Sequence, residues 1–340
     1  MMNQSSNDQV LTDKPRVVFF GTPSFAVPTL EVLAQSPLVD LRGVVTQPDR
    51  PAGRGRRLKP PPVKSAADAL VIPVWQISTL KDPRVRTWLV EQRCDLFIVA
   101  AFGLIFGRRT LVLPTIGAIN VHASLLPKYR GASPVASAIY SGEHVTGVTL
   151  MQMDEGLDTG PMLASRSLDI SQSATTNTIT EELASLGAEL FRESLPGILR
   201  QSIHPCPQEG PASLTRPLVK EDGSIDWRRR PQQIVDHIRA MVPWPRASSD
   251  LHSGVRLTIL EARAEADWND DAGSVGRIVV ERGKPFVTCG SGRMEILSAQ
   301  LPGARPVSGE QLLQRRALTD GETLAPLGAT GSLPPLVVDV

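Results

Sequence analysis

Two polar side chains, Asn120 and His122, interrupt the apolar run AINVHA at residues 118 to 123. Successive side chains on a β-strand alternate faces, so this pair points one way while Ile119 and Val121 point the other. One face is then core, and the other sets an amide beside an imidazole. The acidic segment DEGLDTG, residues 154 to 160, ends a further apolar run and offers the carboxylates Asp154 and Asp158. Amide, imidazole and carboxylate together suffice for acyl transfer. The Asn amide donates to a carbonyl oxygen that becomes an oxyanion, and loss of one such donor costs about 100- to 1000-fold in rate. The histidine takes a proton from an attacking amine and returns it to the leaving nitrogen, while a carboxylate orients the ring. No Ser or Cys nucleophile is required.

A plainer reading is open for each piece. Taken alone, a buried Asn and His are hydrogen-bonded core residues, and DEGLDTG is a solvated turn. What favours chemistry is position, at the end of a strand and just before a loop, where parallel α/β sheets keep their ligand sites. GTPSFAVP after the first strand is not a GxGxxG fingerprint, and neither a nucleotide P-loop nor GxSxG occurs, which argues against dinucleotide, nucleoside triphosphate and ordinary serine hydrolase chemistry. Gly21-Thr22-Pro23 reads either as a tight turn or as a backbone nest for a phosphate or ribose.

The elements that must position these residues follow from the hydrophobic pattern. RVVFF at 16 to 20, LRGVVT at 41 to 46, VIPVWQ, DLFIVAAF at 95 to 102, AINVHA and GVTLMQMD at 147 to 154 read as strands. FAVPTLEVLAQS, residues 63 to 70 and PRVRTWLVEQR read as the helices between the earlier ones. Repeated β then α argues for a parallel, doubly wound sheet with right-handed crossovers. Residues 178 to 199 form a closing helix of good helix formers. Residues 203 to 217 carry four prolines and read as an extended linker. Beyond a helix in IDWRRRPQQIVDHIRAM come short β-prone pieces with Gly-rich turns, which suggest a small OB-type barrel. GATGSLPPLVVDV, at the C-terminus, predicts no regular structure. The expected organisation is a tail at 1–14, a catalytic domain at 15–202, a linker at 203–220, a second domain at 221–328 and a tail at 329–340.

Composition bounds the function classes. With 340 residues, 41% hydrophobic and 21% charged, the chain has room for two cores. It holds no apolar run long enough for a membrane span, and MMNQSSNDQVLTDKP resembles neither a signal nor a transit peptide, so a cytoplasmic location is expected. Cys94, Cys206 and Cys289 are far apart and suggest neither a disulfide framework nor a zinc site; no metal is expected. A net charge of +1 leaves polyanion binding to local patches. One such patch is QPDRPAGRGRRLKPPPVK, residues 47 to 64, where Arg50, Arg54, Arg56, Arg57, Lys59 and Lys64 face a single acid, Asp49. Its Pro and Gly content excludes a helix, leaving a solvated flexible loop or a loop that contacts a phosphate backbone.

NVHASLLPKYRGASP, QPDRPAGRGRRLKPPPVK and MDEGLDTG together resemble the methionyl-tRNA formyltransferases, within the folate-dependent formyltransferase family, over about residues 15 to 318. The Asn-x-His-x-Ser-Leu-Leu-Pro segment with a downstream Leu-Asp-x-Gly carries the class. The basic insertion and the IDW and PWP segments, with Trp227 and Trp244, carry the tRNA substrate. The resemblance implies an α/β, Rossmann-like parallel-sheet formyltransferase domain followed by an OB-type β-barrel domain, and a monomer. It implies formyl transfer from 10-formyltetrahydrofolate to the α-amine of initiator methionyl-tRNA in translation initiation. It places catalysis on Asn120, His122 and Asp158, and the donor pocket at Phe102, Gly103, Leu104, Ile105 and Phe106 with Ser124, Leu125, Leu126 and Pro127. It assigns tRNA contacts to Arg50, Arg54, Arg56, Arg57, Lys59 and Arg130, with Arg54 beside the first base pair of the acceptor stem. Two departures stand out. Phe102-Gly103-Leu104-Ile105-Phe106-Gly107 replaces the family's Tyr-Gly-Leu-Ile-Leu-Pro, and Pro217 stands at a family lysine, leaving Arg216 or Lys220 to take its part. Rival readings are formyl transfer to a small amine, hydrolysis of formyl-folate, and a non-catalytic RNA-binding protein on the same fold; the first two leave residues 47 to 64 and the second domain unexplained.

Overall fold

The first strand, β1 (Arg16–Gly21), reads RVVFFG and is buried along almost its whole length, as a strand covered on both faces requires. The computed structural model describes residues 14–52, 55, 57–266, 275–325 and 334–340. After β1 come α1 (Val27–Gln35), β2 (Asp40–Thr46), the short β3 (Arg50–Ala52) and β4 (Arg57–Lys59), α2 (Pro62–Ala69), β5 (Val74–Gln76) and α3 (Pro83–Gln92). They lead into β6 (Leu96–Ala100), α4 (Arg108–Leu111), β7 (Gly117–His122), β8 (Arg130–Gly131), α5 (Pro134–Tyr140), β9 (Val145–Gln152), β10 (Met162–Asp169) and α6 (Thr176–Leu199). α3 starts where its sequence says it should: Asp82 caps it by accepting from the Arg84 amide at 2.9 Å, and Pro83 occupies the first turn.

The chain divides into two compact units. The first comprises the described residues of Met1–Pro127 with Gly147–Arg166 and Glu181–Gly210. Its sheet has the order β10-β9-β7-β6-β1-β2-β5, with β7, β6, β1, β2 and β5 parallel. The chain winds outward from β1 through β2 to β5, then returns to the other side of β1 with β6. The switch point therefore lies between β1 and β6, where such sheets open a crevice at their carboxyl ends. Phe20, Phe97, Phe102 and Phe106 pack edge to face there, with Val18, Val45 and Val99 in the same core. On the other sheet face, a Cβ at Gly187 of α6 would stand 3.0 Å from Val121 and 3.3 Å from Val148, so the helix lies hard against β7 and β9.

Where the periodicity predicts an all-parallel sheet, β9 runs antiparallel to β7, pairing Asn120 with Met151 and His122 with Thr149. Between them α5 packs on α7 of the second unit, so no helix crosses this sheet and the strand re-enters in the opposite direction.

The second unit comprises Lys128–Thr146, Ser167–Thr180 and the described residues of Pro211–Val340. It adds β11 (Ser213–Thr215), α7 (Pro231–Ala240), β12 (Ser248–Asp250), β13 (Arg256–Glu265), β14 (Ile278–Glu281), β15 (Lys284–Thr288), β16 (Arg293–Gln300), β17 (Val307–Ser308), α8 (Gly309–Gln314) and β18 (Val337–Asp339). The antiparallel sheet β12-β13-β16-β15-β14 curves into a half-barrel, with β17 added to β16 and register shifts in β13 near Glu261. Its open edges are bridged: Ala325 exchanges backbone hydrogen bonds with Asp250 beside β12, and residues 322 and 324 bond Ile278 and Gly276 beside β14. The C-terminal segment is more regular than its composition predicts, because β18 pairs with β11, itself inside the proline-rich stretch. No helix among the described residues is long and apolar enough to cross a membrane.

Candidate active site

Asn120 and His122 lie at the carboxyl end of β7, both nearly buried and on the face opposite Val121. The Asn120 amide Nδ2 donates to Asp158 Oδ1 at 3.3 Å. His122 Nδ1 stands 3.7 Å from Asp158 Oδ2, longer than a hydrogen bond and within ion-pair range. One carboxylate thus faces both side chains, one oxygen to each. Nδ2 bears two N–H groups, so the bond to Asp158 leaves a second donor on the same atom for a substrate carbonyl. Nδ1 turned to the carboxylate is the arrangement that orients an imidazole for proton transfer.

Asp158 reaches this place on a loop that the backbone holds tightly. Its φ is 54°, the left-handed region that Asp enters more readily than most residues. Two residues on, the loop passes so close to β9 that a Cβ at Gly160 would lie 1.8 Å from the Gln152 carbonyl, so only glycine fits. Gln208 Nε2 donates to the carbonyls of both Asp158 and Gly160, each at 2.8 Å. Asp154, the other acid of DEGLDTG, is spent inside the loop, accepting from the Gly156 amide at 3.0 Å and the Thr159 hydroxyl at 2.7 Å. It is a turn-forming residue, and Asp158 is the one that meets Asn120 and His122.

Residues 101 to 107 form the loop beyond β6, at the switch point. The rings of Phe102 and Phe106 belong to the aromatic core, so their apolar surface supports the loop from beneath, while Gly103 and Ile105 are exposed and Leu104 is half-buried. The Phe102 carbonyl accepts from Thr22 Oγ1 at 3.2 Å and from Gln47 Nε2 at 2.8 Å. Past Gly21 the chain runs into a short 3-10 helix at Ser24–Ala26, and the Thr22 hydroxyl ties the end of β1 to the loop. Gly103 adopts φ +79°, and a Cβ there would meet Gln47 Nε2 at 2.7 Å. The loop thus combines exposed backbone and an exposed apolar side chain on a rigid base, which suits a flat heteroaromatic ligand. Ser124 is fully buried, with its carbonyl accepting from Thr149 Oγ1 at 2.7 Å; Leu126 is buried, and Leu125 and Pro127 are half-buried.

The described part of the basic segment forms a two-stranded pair: Arg50 pairs with Lys59, and residues 51 and 52 with Leu58 and Arg57. Arg50, Arg57 and Lys59 are exposed. Arg54 and Arg56 lie outside the described residues. Arg50 also donates to Gln47 Oε1, so one glutamine links the base of the hairpin to the Phe102 loop. The single acid, Asp49, is occupied by Gln76 Nε2 at 2.6 Å. Arg130 is half-buried in β8 of the second unit, its carbonyl bonded by Thr215 Oγ1 at 3.0 Å. Arg216 cannot act as a free cation, because its guanidinium is forked onto Asp222 at 2.6 and 2.7 Å and donates to the Pro334 carbonyl. Lys220 is exposed.

Sequence reasoning passes over Gln208 and Gln47, and misses the partner of Thr22. All three act through long-range bonds to backbone carbonyls, and a polar residue in a loop carries no periodic signal of such a partner. Burial holds the thiols of Cys94 and Cys289 up at about 12, well above the reactive range.

A parallel-rich sheet with an Asn, His and Asp set at the strand ends, joined to an antiparallel half-barrel, suits acyl-group transfer. Residues 15–195 match the family model described as formyl transferase, and residues 217–317 match the one described as formyl transferase, C-terminal domain. The chain is 42% identical over 311 residues to the methionyl-tRNA formyltransferase of Sorangium cellulosum (strain So ce56), covering 91% of this chain and 99% of that protein. It is 45% identical over 298 residues to the methionyl-tRNA formyltransferase of Chloroflexus aggregans (strain MD-66 / DSM 9485), covering 86% and 95%. In fold it is similar to the N-formyltransferase from Helicobacter canadensis solved with folinic acid and dTDP-3-aminofucose, with TM-score 0.60, 18% identity and coverage of 85% and 99%. The chain belongs to the formyl transferase family.

Proposed function

We propose that this chain transfers the formyl group of 10-formyltetrahydrofolate to the α-amine of methionine on initiator tRNA. The observation that carries the chemistry is the convergence of Asn120 and His122 on one carboxylate, Asp158. Identity of 42 to 45% to methionyl-tRNA formyltransferases over nearly their full lengths supports the acceptor.

In this reading the amine nitrogen attacks the formyl carbon directly. Asn120 donates to the formyl oxygen as negative charge develops on it. His122 removes the proton from the attacking nitrogen and delivers it to the leaving folate nitrogen as the old C–N bond breaks. Asp158 holds the imidazole and compensates its charge. The exposed rim of the 102 to 106 loop, with residues 124 to 127, would hold the donor; Arg50, Arg54, Arg56, Arg57, Lys59 and Arg130 would meet the tRNA backbone. Residues 15–202 form the catalytic domain and 221–328 the tRNA-binding domain, in a monomer that works in the cytoplasm.

The test is to supply 10-formyltetrahydrofolate with charged initiator tRNA, charged elongator tRNA or glycinamide ribonucleotide. Formylation of initiator tRNA well above the other two is expected. Formylation of the small amine alone, or mere hydrolysis of the donor, would overturn the acceptor assignment.

A further inference from the structure

Outside the site just described, one aromatic side chain is out of place. Trp244 is 53% exposed, and among the described residues it is the one aromatic that is exposed rather than buried or half-buried. The second tryptophan noted with it, Trp227, behaves as tryptophans usually do: it is buried and its indole N–H bonds Ser249 Oγ at 3.0 Å. Pro243 and Pro245 flank Trp244 and fix the backbone on both sides, so presenting the ring to solvent costs little additional ordering.

Two residues on, Arg246 is exposed with φ at 73°, a conformation that glycine would hold without strain. Its amide donates to the Met241 carbonyl at 2.8 Å, and its own carbonyl lies where a Cβ on Gly223 would come within 2.3 Å. The backbone is thus locked from both sides. The guanidinium is aimed by bonds to the Pro243 carbonyl at 3.3 Å and to Gln300 Oε1 at 3.0 Å. Those bonds use Nε and Nη1, and the fork carries further N–H groups on Nη2. One residue past Gln300, a surface cleft opens between Leu301, Pro302, Val255 and Arg256, and continues to Arg316. The acids along it are engaged within the protein: Asp250 pairs with Arg256 at 3.5 Å, Glu322 accepts from the His252 and Thr319 amides, and Asp320 from the Val280 amide.

A different face of the half-barrel is charged but self-neutralised. Arg293 pairs with Glu265 and Glu281, and Glu295 with Arg263 and Lys284, so that face has little to offer a polyanion.

We propose that Trp244 and Arg246 form a nucleotide site on the second unit, in which the indole stacks on an unpaired base of RNA and the Arg246 guanidinium takes the adjoining phosphate. An aromatic face beside a fixed cation is what binds single-stranded nucleic acid: the ring accepts any base, and the cation fixes the backbone. The cleft past Gln300, with Arg316 at its far end, extends the same strand. The site deepens the proposed function, since a tRNA ends in unpaired nucleotides, and it rests on that reading for its substrate.

The test measures binding of a fluorescein-labelled, unstructured twelve-nucleotide RNA to the full chain by anisotropy, with initiator tRNA formylation kinetics alongside. Trp244→Ala is expected to weaken the RNA by about 10-fold or more, and Trp244→Phe by much less. Arg246→Ala should weaken binding and flatten its salt dependence. The KM for tRNA should rise in Trp244→Ala while kcat, the folate KM and the thermal midpoint stay near wild type, a split that a merely structural role would not produce. Unchanged RNA affinity and tRNA KM in Trp244→Ala would overturn the site, leaving the exposed ring to a protein contact. If wild-type protein binds the RNA in a Trp244-dependent way yet formylates nothing, the site stands and the proposed activity falls.

Discussion

Gln208 reaches Asp158 across 50 residues of sequence and donates to its backbone carbonyl at 2.8 Å, while bonding the Gly160 carbonyl at the same distance. Those bonds hold the loop from which the Asp158 carboxylate is aimed. Gln208→Ala should therefore lower kcat by about 10-fold or more, since misplacing a catalytic group by a fraction of an ångström is costly. The KM for folate should change little. Steady-state kinetics check this, and a variant with wild-type kcat would show that the loop holds itself.

Asn120→Ala removes the amide proposed to stabilise the oxyanion. A fall of about 100- to 1000-fold in kcat is expected, with substrate affinities kept within a few-fold. Single-turnover rates at saturating tRNA and folate make the measurement. A loss confined to KM would assign Asn120 to ground-state binding instead.

The hairpin of β3 and β4 should act through phosphates rather than bases. Replacing both Arg57 and Lys59 by Ala is expected to weaken tRNA binding and to lower the slope of log Kd against log salt by roughly 1 for each phosphate left without its cation. Affinity for the folate should be unaffected. Parallel salt titrations of wild type and variant that give the same slope would remove the hairpin from the interface.

His237 predicts a pH dependence of stability. It is buried in α7, edge-on to Tyr140, and its Nε2 donates to the Asp222 carbonyl at 2.6 Å, which requires a proton on that nitrogen and leaves the ring neutral. Burial lowers its pKa from 6.5 to about 4. The unfolded chain therefore binds a proton more readily than the folded one between these values, so stability is full above pH 6.5 and falls as the pH drops toward 4, by at most about 3 kcal/mol. Burial opposes ionisation of Asp222, yet Arg216 outweighs it and holds that pKa below the usual value, so its contribution is lost only as the pH falls through and below the ordinary carboxylate range. His237→Gln, which keeps an N–H for the Asp222 carbonyl, should be less sensitive than wild type when melting temperatures are compared at pH 7 and pH 4.5. Equal shifts in both proteins would assign the acid sensitivity elsewhere.

Much of this molecule is legible in its sequence because its strands are short, buried and bounded by turn residues. Alternation in AINVHA alone assigns Ile119 and Val121 to one sheet face and Asn120 and His122 to the other, and the density of cations at 47 to 64 marks a positively charged segment. Strand direction is less accessible. GVTLMQMD has the same apolar texture in a parallel or an antiparallel neighbour, and what makes β9 antiparallel is where α5 packs. Regularity at the termini is hidden for a similar reason: Val337–Asp339 is too short to declare itself, and becomes a strand only because Ser213–Thr215 is there to pair with it.

What the sequence by itself determined is therefore local: which faces are apolar, where the chain turns, and which residue types stand at the end of β7. Tertiary structure decided which acid of DEGLDTG meets Asn120 and His122. Asp154 and Asp158 are alike in type and close in sequence, but the first satisfies its own turn while the second, on a backbone pinned by Gly160 and Gln208, meets Asn120 38 residues away in sequence. Hydrogen-bond partners that distant are set by how strands and loops stack in space, and no spacing along the chain encodes them directly.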